Sequence, residues 1–289
     1  MGPGGAHVPD LTQAKCEHDA GSGARAVGKR WDVLGSAAGA TAAKAHHHSL
    51  ALDAADGGRP YLAALEGPGY NLTVRKYVSK EAGWQALPQP SGSGAAGYVA
   101  LLMHPTQPGR PWVAYGDPSR GGRLSVRAFT GASWVAKGQP GLSQIPLSSV
   151  PPKLAFAPDG AAWIAFRVGS AEDGPPTGPF NIVVMKWLAS SSSRGQRAAV
   201  SPAEAEDVQL AVGPNGEPYV AFRDMGDGNF PLSRGMVVRR VALAGGGFQW
   251  SPLGPPQQPY FTLAMEVGVL GVEWMQGGCF GVRRIGWRQ

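Results

Sequence analysis

Apolar residues along this chain fall in short runs and two-residue alternations, without the three-and-four spacing of a helix face, and the runs return at a fixed interval. Four near-continuous apolar runs stand out: YLAAL in GGRPYLAALE at 57–66, WVAY in GRPWVAYGD at 109–117, WIAF in PDGAAWIAFRV at 158–168 and YVAF in PNGEPYVAFRD at 214–224. Counted between their aromatics, Tyr61, Trp112, Trp163 and Tyr219, the separations are 51, 51 and 56 residues. A period near 50 marks a repeat protein. Runs this short, bounded by PDG, PNG and PGR turns, predict β-strands, and their continuity predicts burial on both faces.

Three further anchors keep step with the first. LTVRKY around Val74, LSVRAF around Val126, NIVVMKW around Val184 and GMVVRRV around Val238 are separated by 52, 58 and 54 residues and alternate apolar with basic side chains. A tryptophan phrase follows in WDVLG at 31, WQALP at 84, WVAKG at 134 and WSPLG at 250, while the third repeat has SSSSRGQRAAV instead. A Leu-Ala pair precedes each aromatic run at Leu50-Ala51, Leu154-Ala155, Leu210-Ala211 and Leu263-Ala264, with the looser YVALLM at 98–103 in the second repeat. Four short strands per unit of this length is the pattern of a propeller blade.

The fold class predicted is therefore all-β, a β-propeller of five four-stranded blades. Its last blade supplies three strands, FTLAMEV, VLGVEWM and CFGVRRIGW, and WDVLG at 31–35 is expected to complete it near Val282, closing the ring between the termini. Residues 1–30 are expected to be a disordered tail and 31–289 the propeller domain, with a connector at 36–48 and irregular insertions at 169–179 and 190–206.

From Trp31 to Trp287 the repeats resemble those of β-propellers with D-G-x-P-Y-V-A-[YF] second strands. Kelch repeats fix a Gly-Gly doublet, whereas Gly57-Gly58 and Gly121-Gly122 do not align; WD repeats end in Trp-Asp, which occurs here at Trp31-Asp32 alone. The sialidase Asp-box has a glycine two residues after its Asp, and here Asp159 and Gly160 are adjacent. The resemblance implies an architecture and carries over no functional residue.

Composition narrows the rest. Glycine at 43 and proline at 26 make up near a quarter of the 289 residues, and the repeats assign that excess to turns. The net charge of +6 permits an anionic partner, but charged residues are 16% of the chain and form no basic block, so nucleic-acid binding is not indicated. Cys16 and Cys279 give no disulfide framework. No apolar signal core is visible at the N-terminus, Ala6 breaks the myristoylation pattern, and no run is long enough to span a membrane; compartment is left open. The sequon Asn71-Leu72-Thr73 lies in a strand-like context and is read as a chance match.

Candidate chemistry is sparse. His46, His47 and His48 would alternate sides on an extended chain without a completing ligand, and are read as solvated linker, as is Cys16-Glu17-His18. Glu66, Asp117 and Asp224 recur five positions after the aromatic, with Val168 breaking the series. They either form turns with their own backbone or make a ring of carboxylates for a sugar or cation. Arg75, Lys76, Arg127, Lys186, Arg239, Arg240, Arg283 and Arg284 recur once per blade and spread around the ring as a solvated face. Nucleophile-elbow, P-loop, dinucleotide and zinc-protease motifs are absent.

The function expected is a non-enzymatic, monomeric scaffold without cofactor or metal, holding a glycan or protein ligand on a rim through Glu66, Asp117, Asp224 and Asp53. The alternative is a carbohydrate-active enzyme with Asp53 and Glu266 facing each other across the channel.

Overall fold

The computed structural model describes residues 34, 39–90, 97–143, 146–147, 150–168, 180–187, 197–201, 204–226, 234–245 and 247–253, and the backbone of three further strands at 262–266, 269–276 and 279–285. Blade 1 comprises β1 (Ala45–Asp53), β2 (Arg59–Glu66), β3 (Asn71–Ser79) and β4 (Gly83–Ala86). Blade 2 comprises β5 (Val99–Met103), β6 (Pro111–Asp117), β7 (Arg123–Phe129) and β8 (Trp134–Ala136). Blade 3 follows with β9 (Lys153–Phe156), β10 (Ala162–Val168), β11 (Asn181–Trp187) and β12 (Arg197–Ala199), and blade 4 with β13 (Glu204–Val212), β14 (Pro218–Gly226), β15 (Arg234–Ala242) and β16 (Phe248–Pro252). A last sheet holds β17 (Thr262–Glu266), β18 (Val269–Gln276) and β19 (Cys279–Ile285).

Every sheet is an antiparallel meander in chain order. The first strands β1, β5, β9, β13 and β17 each neighbour the next, which sets the blades side by side around a common inner edge. The core lies between blades. Tyr61, Ala63 and Leu65 of β2 pack against Val99, Leu101, Val113 and Tyr115 of blade 2. Trp112 and Ala114 pack against Ala162, Ile164 and Phe166 of blade 3, and Trp163 and Ala165 against Val220 and Phe222 of blade 4. Because side chains alternate across a strand, each second strand sends one set forward and the other back. Both faces are covered, which is why the runs are continuously apolar.

Three sequence expectations are corrected. The connector ends sooner than expected: β1 begins at Ala45, so His46, His47 and His48 lie in a strand, where the His46 ring rests 4.4 Å from Tyr70 and His47 4.8 Å from Tyr98. Pairing of Ala45 with Glu66 and of His48 with Ala64 brackets them, with His46 and His47 in an irregularity of the register between. The third repeat does have an outer strand, β12, formed without a tryptophan by pairing Val183, Val184 and Met185 with Ala199, Ala198 and Arg197. With β13 starting at Glu204, the expected insertion at 190–206 is shorter at its C-terminal end. The insertion at 169–179 and the tail lie outside the described residues.

The closing strand WDVLG also lies outside the described residues except for Leu34. The Leu34 carbonyl accepts a bond from Trp84 Nε1 at 2.9 Å, and one blade later Trp134 Nε1 donates to the Pro88 carbonyl at 2.6 Å. Pro88 follows the outer strand of the blade preceding Trp134. Leu34 thus stands to blade 1 as Pro88 stands to blade 2. On β1 itself Ala51 packs toward blade 2, and Ser49 Oγ accepts from Leu101 N at 3.0 Å, whereas Leu50 and Leu52 are 61% and 59% exposed on the other face.

Candidate functional site

The blades have two rims. On one, the turns join second and third strands; on the other, they join first to second and third to fourth. Glu66, Asp117 and Asp224 come to the first rim and Asp53 to the second, so the structure does not gather the four carboxylates into one place.

Each of the four is engaged by its own surroundings. Glu66 accepts from Thr73 Oγ1 at 2.7 Å, from Arg75 Nε at 3.1 Å and Nη2 at 3.2 Å, and from Ala42 N at 3.3 Å. Burial alone would raise its carboxyl, but the Arg75 and Thr73 hydrogen bonds and the Arg75 charge hold it below the ordinary glutamate value. Asp117 caps the short 3-10 turn Pro118–Arg120 through Ser119 N at 3.0 Å and also accepts from the Ser119 and Ser125 hydroxyls. Asp224 accepts from Gly226 N at 3.0 Å. Asp117 and Asp224 thus bond the amides two residues ahead in their own turns, whereas Glu66 is held by Arg75, Thr73 and Ala42 N. Where Val168 breaks the series, buried Arg167 reaches into the next blade, 3.6 Å from Glu204 and 3.5 Å from Glu206, so an ion pair within a blade is replaced by one between blades.

Asp53 is fully enclosed. Its Oδ1 accepts from Ala55 N at 3.2 Å and its Oδ2 from Gly109 N of blade 2 at 2.6 Å, tying two blades together. The corresponding residue of blade 2 is His104 and of blade 3 is Ala157, which face Gly160 and Gly216 of the following blades. Asp53 therefore lines no open channel, and the side chain of its proposed partner Glu266 lies outside the described residues. Among those described, no three His, Cys, Asp or Glu side chains group as metal ligands would.

A concave site lies on the second rim between blades 2 and 3, with a volume of about 300 Å³. Trp112 of β6 and Phe129 at the end of β7 supply aromatic surface from blade 2, and Trp187 at the end of β11 supplies it from blade 3. The Trp187 indole is seated against Gly138, where φ is +68° and any Cβ would come within 2.6 Å of the ring. The wall is thus fixed by a residue that must be glycine. Polar groups converge from Arg110, Lys137, His104, Gln107 and Thr130. Lys137 Nζ stands 4.8 Å above the Trp112 ring, within cation–π range. His104 stacks on Phe156 at 5.1 Å, and Phe156 meets Trp112 edge-on at 5.2 Å. Burial, helped by the Lys137 charge, pushes the His104 imidazole below the ordinary histidine value. Arg110 Nη1 is enclosed without a hydrogen-bond partner among the described residues.

Of these side chains the sequence singled out Trp112 alone, as a repeat anchor. The available signal was a departure from the repeat. Third strands place Lys76 opposite Tyr61, Lys186 opposite Trp163 and Arg239 opposite Tyr219, but Ala128 opposite Trp112. The small residue leaves space beside the ring, and the cation over Trp112 comes instead from Lys137.

The chain matches no protein-family model and no curated protein. Among solved structures it is similar to the Aleuria aurantia lectin in complex with Fucα1-6GlcNAc, at 11% identity and a TM-score of 0.50, over 83% of this chain and 78% of that one. It is similar to a protein of unknown function from Dyadobacter fermentans, at 15% identity and 0.51, over 84% and 79%. A third similarity is to the SapL1 lectin in complex with α-methyl fucoside, at 13% identity and 0.50, over 83% and 76%. The Aleuria aurantia lectin is described as a six-bladed β-propeller. At these identities the likeness shows the fold, an all-β propeller architecture, and does not carry the expected count of five blades.

Proposed function

We propose that the chain is a carbohydrate-binding protein whose ligand sits in the cleft between blades 2 and 3. The observation that carries this reading is the pairing of an aromatic wall, Trp112, Phe129 and Trp187, with donors and acceptors lining the same cavity. A sugar ring has the matching character, with an apolar C–H face for an aromatic wall and hydroxyls around its edge for Arg110, Gln107, Thr130 and His104. The volume of about 300 Å³ suits a small ligand held by one face. The lectin descriptions of two similar folds support the same class.

The enzyme alternative has no comparable support, since Asp53 has both oxygens on backbone amides. The carboxylates of the opposite rim act as turn and blade ties in this reading. A glycan array tests it, run beside Gln107→Trp, which fills the mouth of the cleft from an exposed turn. Retention of a discrete set of glycans by the parent, lost in the variant with melting unchanged, is the expected result. No retained glycan, or equal retention by both proteins, would overturn it.

A further inference from the structure

We infer that this cleft selects an anionic sugar, one bearing a carboxylate or a sulfate ester, with Arg110 and Lys137 meeting the charge. The inference rests on the carbohydrate reading above and names the class of carbohydrate.

The first observation is the charge of the wall. Arg110, Lys137 and His104 line the cleft, and among the described residues no Asp or Glu does. Asp159, in the turn before the lining residue Gly160, has Oδ1 accepting from Ala161 N at 2.9 Å. The second observation is that Arg110 differs from its counterparts. One blade earlier, Arg59 at the corresponding position is bonded to Asp56 at 2.5 Å and donates to the carbonyls of Tyr77 and Val78 at 3.2 and 3.4 Å. At the next boundary the cation beside the platform, Arg240, is paired with Glu217 through both carboxylate oxygens at 3.3 Å. Arg110 Nη1 is enclosed beside Gly131 and has no acceptor among the described residues. A buried charged donor without an acceptor is unfavourable, and an acceptor arriving with the ligand removes that penalty.

The third observation is placement. Lys137 holds its ammonium 4.8 Å from the centre of the Trp112 ring, so aromatic surface and positive charge adjoin in the lining. A carboxylate or sulfate presents two or more oxygens to the planar guanidinium, the geometry in which arginine binds most strongly. His104, kept neutral by burial and the Lys137 charge, adds a ring nitrogen and no charge near neutral pH. A neutral sugar would bring no counter-charge to the two cations of the lining, Arg110 and Lys137.

The test measures affinity by calorimetry for two matched pairs of probes: a methyl glucoside with the corresponding methyl glucuronide, and N-acetylglucosamine with its 6-sulfate. Each acidic probe is expected to bind at least about tenfold tighter than its neutral partner, the effect of one charge-assisted hydrogen bond. That advantage should shrink as salt rises from roughly 0.05 to 0.5 M, because an open cleft is screened. In an Arg110→Gln, Lys137→Gln double variant the acid-to-neutral ratio should fall to about one. Advantage for the glucuronide alone or the sulfate alone identifies which anion the cleft accepts and supports the inference. Neutral probes binding as well as acidic ones would overturn it while leaving the carbohydrate reading intact, as would a preference that survives the double variant. If no probe and no arrayed glycan binds, both readings fall together.

Discussion

At the boundary between blades 3 and 4 the platform tryptophan is covered; at the boundary between blades 2 and 3 its counterpart borders a cavity. Trp163 is approached by Lys186 at 5.2 Å from its own blade and by Arg240 at 5.8 Å from the next, and Arg240 is neutralised by Glu217 and stacked on Phe248 at 4.3 Å. At the corresponding positions around Trp112 stand Ala128 in place of Lys186, Trp187 in place of Arg240 and Arg110 two residues before the aromatic. Three changes of residue on one backbone template convert a filled, charge-balanced joint into an open, positively charged one. A repeat fold holds the backbone nearly constant, so function at one joint is written in how its side chains depart from the others.

Rewriting those departures should move one joint toward the other. The largest effect is expected for Arg110→Glu, which puts a carboxylate where blade 4 has Glu217 and beside Lys137. Affinity for an acidic glycan should drop on the order of a hundredfold or more, the loss of a charge-assisted bond plus repulsion, as read by titration, while thermal melting stays near the parent value. Unchanged affinity would show that the charge of the cleft plays no part in binding.

A second comparison sets the inter-blade ties against each other. Asp53→Ala leaves two amides, Ala55 N and Gly109 N, without their acceptor inside an enclosed joint. It should cost about 2 to 3 kcal/mol of unfolding free energy in denaturant titration. His104→Ala, at the corresponding place one blade on, removes packing on Phe156 and no such tie, and should cost about 1 kcal/mol or less. Equal losses would mean that the two joints are held in the same way. The smallest effect belongs to Glu217→Ala: the pair with Arg240 is partly exposed, with the Glu217 side chain 31% accessible, so less than about 1 kcal/mol is expected. No glycan binding should appear at Trp163, since Lys186 and Arg240 still cover it.

The strands were legible because a period near 50, anchored by Tyr61, Trp112, Trp163 and Tyr219, survives variation in every other residue. Double-sided burial of YLAAL, WVAY, WIAF and YVAF followed from their continuity. β12 escaped notice because RAA has no tryptophan and is held by backbone pairing alone, and the start of β1 because three histidines lack any strand-like pattern. The candidate site was less legible for a physical reason. Arg110 and Trp187 lie on different blades, and their approach depends on how one sheet sits against the next. Carboxylates drew attention by recurring, but recurrence reflected turn geometry, as Asp117 and Asp224 show by bonding to amides two residues ahead.

The central claim is a location, and a crystal structure of the protein with its tightest arrayed glycan tests it most directly. The account predicts sugar density against Trp112 and Trp187 with an oxygen within hydrogen-bond distance of the Arg110 guanidinium. Density at another blade boundary, or against Glu66, Asp117 and Asp224 on the opposite rim, with the cleft between blades 2 and 3 empty, would contradict it.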